Sequence, residues 1–165
     1  MALILNTNSY VSVAEADSYF ETRIDSASWI SNGDAVKEQA LVTSTQILDN
    51  NAWIGSAVSS SQALAWPRAN ATYYDQRLGL EVTFAVDEVP QLMKTAVFEQ
   101  ALWLIENEDI MLQKNQTFES ISIGSISLSD SNNDVRSTPI RSPQAGKLLI
   151  PLTRRGTTNA WWRAN

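Results

Sequence analysis

The chain of 165 residues contains no cysteine and no histidine. The first absence excludes disulfides, thiol nucleophiles and thiolate metal sites. The second removes the imidazole base and the ordinary zinc centre. Oxygen ligands are present, but the acidic residues are scattered rather than spaced as a calcium loop. No Ser-x-x-Lys pair occurs. The nearest approach to a phosphate-cradling loop, Ser122-Ile123-Gly124-Ser125, has one glycine and no following lysine. The acidic clusters Asp87-Glu88 and Glu106-Asn107-Glu108-Asp109 fit solvated helix ends better than paired catalytic carboxylates. The expectation is a protein without catalytic residues, cofactor or metal.

Long apolar runs are missing as well. No stretch approaches the roughly 18 residues of a membrane span. The opening MALILNTNSY has no basic region and an apolar run of only five residues. A soluble protein of intracellular origin, without a signal peptide or membrane contact, is expected.

The remaining absence concerns charge. Positions 135–165 hold no acid, but carry Arg136, Arg141, Lys147, Arg154, Arg155 and Arg163. Positions 1–134 hold all 18 acidic residues against six basic ones, a net of −12. An acidic body with a basic tail points to an interaction arm, for nucleic acid or for an acidic neighbour, with a solvated end as the lesser reading.

A hydrophobic fraction of 44% supports a folded core in one domain. Ser12-Val-Ala-Glu15 is a capping box, and Val13, Ala16, Tyr19 and Phe20 follow at helical spacing, which predicts a helix over 13–24. Asp34 starts a second helix, with Val36, Ala40, Leu41, Ile47 and Leu48 on its apolar face, stopped by Asp49-Asn50-Asn51. Ser59 to Ser61 caps one short turn over 62–65, and Asp75 to Gly79 reads as a surface loop or tight turn. A third helix, nearly apolar on several sides and so central, covers 90–107 behind Pro90.

Ile121, Ile123, Ile126 and Leu128 then alternate with serines as a short hairpin would. The predicted fold is mainly α: a small helical bundle with a short β-hairpin and an extended C-terminal arm. The predicted divisions are a helical body at 1–113, the hairpin region at 114–134 and the basic arm at 135–165.

Two places invite a functional reading. In Ser61-Gln-Ala-Leu-Ala-Trp-Pro-Arg68, proline drives Trp66 toward extended backbone, the ring anchors a corner, and Arg68 clamps a carbonyl or carboxylate. Trp66, Pro67 and Arg68 thus read as a structural corner. A base-stacking platform would also want aromatics near basic residues, and Tyr73, Tyr74 and Arg77 follow, yet the acidic body repels phosphate. The second place is the arm: Arg136, Arg141, Lys147, Leu148, Leu149, Ile150, Arg154, Arg155, Trp161 and Trp162 read as partner-binding, basic and apolar segments better suited to lying on a neighbour than to water.

Four stretches, residues 8–20, Gln62 to Arg68, Val89-Pro90 and Leu148 to Leu152, together resemble small tailed-phage proteins encoded among head and connector genes. Some of these carry the label DnaT-like single-stranded DNA-binding protein. In organisation they are similar to head–tail adaptors, or head-completion proteins. The resemblance spans about residues 8–152.

It implies a helical ring, usually of twelve copies, at the head–tail junction of a virion assembled in the host cytoplasm. The portal protein would dock above and a tail or nozzle protein below. Double-stranded DNA would pass through the channel without sequence-specific binding. By the same resemblance Tyr10, Tyr19 and Phe20 are packing positions of the first helix, and Pro90 starts the core helix. The alternative is a phage accessory protein that binds single-stranded DNA.

Overall fold

A computed structural model gives the architecture; it describes residues 2–75, 77–107, 140 and 142–154, and the backbone of 121–123 and 126–128. The fold is mainly helical. The described residues form five helices: α1 Val13–Phe20, α2 Ala27–Ile30, α3 Asp34–Asp49, α4 Gln91–Glu106 and α5 Pro143–Leu149. Between α3 and α4 lie β1 Ser56–Ala57, β2 Arg68–Ala69, β3 Thr72–Asp75 and β4 Leu80–Thr83. After α4 come β5 Ile121–Ile123 and β6 Ile126–Leu128. Each strand pairs antiparallel with one other: β1 with β2, β3 with β4 and β5 with β6.

α1 begins where its sequence dictates. The Glu15 N–H donates to the Ser12 hydroxyl at 3.2 Å, and the Ser12 N–H donates back to the Glu15 carboxylate at 2.8 Å. The helix ends at Phe20, earlier than its spacing predicts. There the Thr22 hydroxyl takes the Tyr19 carbonyl and the Arg23 N–H tightens onto the Phe20 carbonyl. Arg23 then turns to the carboxylates of Asp25 and of Glu99 on α4, which fixes the turn against the bundle.

The one-turn α2 is not legible from periodicity, because it contains only four residues. It serves to bury Trp29, which packs 4.7 Å from Phe20 and donates its indole N–H to Asp17 at 2.8 Å.

α4 is the central element, flanked by α3 on one side and α5 on another. Met93, Ala96, Val97 and Ala101 are wholly enclosed. Such all-round burial explains why its sequence is apolar on several sides.

α5 lies within the stretch that the sequence reading assigned to the C-terminal arm. Ser142 caps it, accepting the Ala145 N–H at 3.3 Å, and Pro143 fills the first turn. The Ser142 N–H donates to the side-chain carbonyl of buried Gln100 on α4 at 3.1 Å. The chain then runs antiparallel beside residues 52–54: the Ile54 N–H reaches the Leu152 carbonyl and the Arg154 N–H the Ala52 carbonyl. Leu149 and Leu152 end in the core, at 1% and 0% exposure. An apolar block of this length finds more buried area on its own body than in water.

Candidate functional site

The corner at residues 65–68 is built around the Tyr10 hydroxyl. It donates to Asp49 and accepts the Trp66 N–H at 3.1 Å, while the same Asp49 oxygen accepts the Ala65 N–H at 2.9 Å. Burial, then the Asp49 carboxylate, pushes the Tyr10 phenol above its usual range, so it remains a donor. Trp66 is 2% exposed and meets Trp53 and Phe84 edge-on, at 6.0 and 5.7 Å between ring centres. The Trp66–Pro67 peptide bond is cis.

Arg68 is turned onto its own chain. Its guanidinium donates to the carbonyls of Ile54, Ala65 and Gly55 at 2.7, 3.2 and 3.0 Å. It braces the β1–β2 loop. Gln62 closes the same loop from within, donating to the Leu64 carbonyl and accepting the N–H groups of Val58 and Ser59.

The other cations described within residues 1–107 are also engaged. Arg23 is held by Asp25 and Glu99, Lys37 by Asp17 at 2.8 Å, and Lys94 by Glu15 at 2.9 Å. Arg77 sits 3.4 Å from Asp75, with its side chain 88% exposed. Its backbone N–H donates to the Asp75 carboxylate at 2.8 Å, and together these contacts hold that carboxyl below its usual range. Lys147 and Arg154, further along, are exposed.

Two clefts border this framework. One, of about 930 Å³, lies between β3 and the segment after α5, lined by Thr72, Tyr73, Tyr74, Asp75, Ile150 and Thr153 among others. The second, of about 700 Å³, lies beside the corner and carries Asp87 and Glu88 on its wall. The Tyr73 ring stacks on Phe84 at 4.6 Å, whereas Tyr74 turns outward and is 62% exposed. Among the described residues no three acidic side chains converge as a metal site, and no helix is long and apolar enough to cross a membrane.

The sequence model of one family, described as putative DnaT-like ssDNA binding protein, matches residues 2–164. The chain belongs to this family. No curated protein and no solved structure matches it. The family description names a binding activity and no reaction.

In this DnaT-like protein the structure brings Trp66, Pro67 and Arg68 together as one corner, with Trp66 buried and the other two half-buried. Of the residues read as a partner-binding arm, Lys147, Leu148, Leu149, Ile150 and Arg154 fall among the described residues. Leu149 is buried in the core and Leu148 is half-buried against it. Ile150 is 52% exposed beside the larger cleft, and Lys147 and Arg154 are exposed. Arg136, Arg141, Arg155, Trp161 and Trp162 lie outside the described residues. The β3–β4 hairpin escaped the sequence reading, although Thr72-Tyr-Tyr-Asp75 and Leu80-Glu-Val-Thr83 around a glycine turn carry the β-formers that signal it.

Proposed function

We propose that this DnaT-like chain is a structural component of a tailed-phage particle, a head–tail adaptor that assembles as a ring between portal and tail. The supporting observation is electrostatic. Each described cation of residues 1–107 has a carboxylate or backbone-carbonyl partner in its own chain, with the Arg77 side chain alone largely exposed. The body therefore presents acid to its surroundings. A duplex in a channel lined by such a surface slides rather than adheres, while exposed Lys147 and Arg154 suit the acidic flank of a neighbouring protein. The assembly itself, its copy number of about twelve and its virion location come from the resemblance of residues 8–20 and 62–68 to phage connector proteins.

The family description favours a second reading, a phage accessory protein that binds single-stranded DNA. Binding would then rest on the basic positions after residue 134, because phosphate affinity scales with the cations free to displace counterions.

One experiment separates the two. The mass of the purified chain is measured with and without the portal protein of the same phage, alongside titration of a fluorescent single-stranded oligonucleotide at two salt concentrations. A portal complex with no oligonucleotide binding establishes the adaptor. Tight binding that weakens steeply with salt, and no portal complex, establishes the second reading.

A further inference from the structure

The β3–β4 ribbon presents its tip to solvent. The Gly79 N–H closes the turn by donating to the Asp75 carbonyl at 2.8 Å, and the Arg77 N–H donates to the Asp75 carboxylate at 2.8 Å. Leu78 and Leu80 stand beyond these bonds, 61% and 51% exposed. The Arg77 guanidinium lies 3.4 Å from Asp75 with its side chain 88% exposed, a weak surface pair. Asp75 itself is buried, so Arg77 is the outward charge of the tip. Glu81 is the next charge, on the face of β4 opposite Leu80.

The cleft beside the tryptophan corner is the complement of this tip. Leu5, Leu64 and Val89 give it apolar lining, and Asp87 and Glu88 line it as exposed carboxylates. Neither forms an ion pair among the described residues. Lys94, the cation in the same lining, is held by Glu15 at 2.9 Å. The cleft is thus acidic and partly apolar, and its volume of about 700 Å³ is that of an ordinary ligand pocket.

The fold keeps the two apart within one chain. β3 and β4 pair Thr72 with Thr83 at the base and Asp75 with Leu80 near the tip, a ribbon about 10 Å long. Asp87 follows the base by four residues, whereas Arg77 lies past the other end. No residue lines both this cleft and the larger one, where Arg77 sits. Complementary patches on separate faces of one body pair between copies, head to tail. Such a contact builds a ring where its rotation closes.

We infer, on the adaptor reading above, that residues 77–80 of one copy seat in the Asp87–Glu88 cleft of the next and so join the ring. Arg77 meets the two carboxylates, while Leu78 and Leu80 cover the apolar lining. The apolar part supplies affinity, and the charges set which end enters the cleft. The turn is already hydrogen-bonded, so docking orders little new chain.

The test reverses the charges one side at a time. Native mass spectrometry counts the copies assembled, with and without the portal protein. The samples are the unaltered chain, Arg77→Glu, Asp87→Lys with Glu88→Lys, and an equimolar mixture of the two variants. Each reversal alone should weaken assembly about tenfold or more, because like charges then face each other. The mixture should restore it, since the tip of each variant matches the cleft of the other. All three positions are exposed, and unchanged circular-dichroism melts report an intact body. If a reversal unfolds the chain, Arg77→Gln and Asp87→Asn with Glu88→Gln remove the charge instead, and should weaken assembly in the same direction. Assembly undiminished by these changes overturns the inference and leaves the adaptor reading standing. So does a loss on reversal that the mixture fails to restore, or a particle that stops at two copies. Failure of the unaltered chain to assemble, alone or on the portal, removes the adaptor reading and the inference with it.

Discussion

The backbone N–H of Trp66 donates to the phenolic oxygen of Tyr10, fifty-six residues earlier, at 3.1 Å. The same hydroxyl donates to Asp49 at the end of α3. One oxygen thus ties the approach to α1, the end of α3 and the tryptophan corner together. Tyr10→Phe keeps the ring and removes that hub, leaving a buried N–H without its acceptor. A loss of about 1–3 kcal/mol in urea unfolding is expected. An unchanged midpoint would show that the corner is held by ring packing alone.

Trp66→Ala tests the packing directly. The ring lies between Trp53 and Phe84 at 2% exposure. Its truncation should cost about 3–5 kcal/mol, transfer and cavity together. A thermal melting curve that does not move would refute the role of Trp66 as an anchor.

Three glycines should respond to alanine in a fixed order. At Gly55, with φ 68°, a Cβ would sit 2.4 Å from the Ala69 carbonyl oxygen and 2.9 Å from the Ala71 nitrogen. Gly79 has φ 69° but no neighbour closer than 4.0 Å, and Gly33 has open space. Gly79→Ala should cost about 1–2 kcal/mol from the left-handed backbone alone. Gly55→Ala should cost clearly more, since backbone must shift, and Gly33→Ala less than either. Circular-dichroism melts of the three variants give the ranking, and equal losses at 55 and 79 would contradict the close approach.

Acid should weaken the fold through two carboxylates. Burial raises Glu15, but the Ser12 N–H and the Lys94 ammonium, with the Ser12 hydroxyl, outweigh it and hold the carboxyl below its usual range. Burial likewise raises Asp17, and Lys37 with the Trp29 N–H brings it down further. A folded pKa below the unfolded one contributes stability that is fully present above the unfolded value, near pH 4. That contribution is lost as pH falls through the folded pKa. Urea midpoints should therefore drop below about pH 4. Glu15→Gln and Asp17→Asn should each flatten this limb. An acid limb of unchanged slope in both variants would remove these pairs from the account.

The local signals in the sequence determined much of the body. Ser12 and Glu15 fixed the start of α1, Gly33-Asp34 that of α3, and Pro90 that of α4, because capping and proline geometry act within a few residues. The serine-spaced isoleucines marked the β5–β6 pair for the same reason. The start of α5 carries local signals in Ser142 and Pro143, but the sequence reading took the apolar residues that follow for a partner-binding arm. Only the tertiary structure decided where they pack. Leu149 and Leu152 fill the core beside α4, and no spacing rule carries information about a surface more than forty residues away in the chain. The role of Arg68 was settled the same way. The sequence offered it carbonyls, carboxylates or a partner, and the fold brought three carbonyl oxygens within reach. Charge was readable as a total, yet whether each cation was free or paired depended on contacts such as Arg23 with Glu99, which only packing creates.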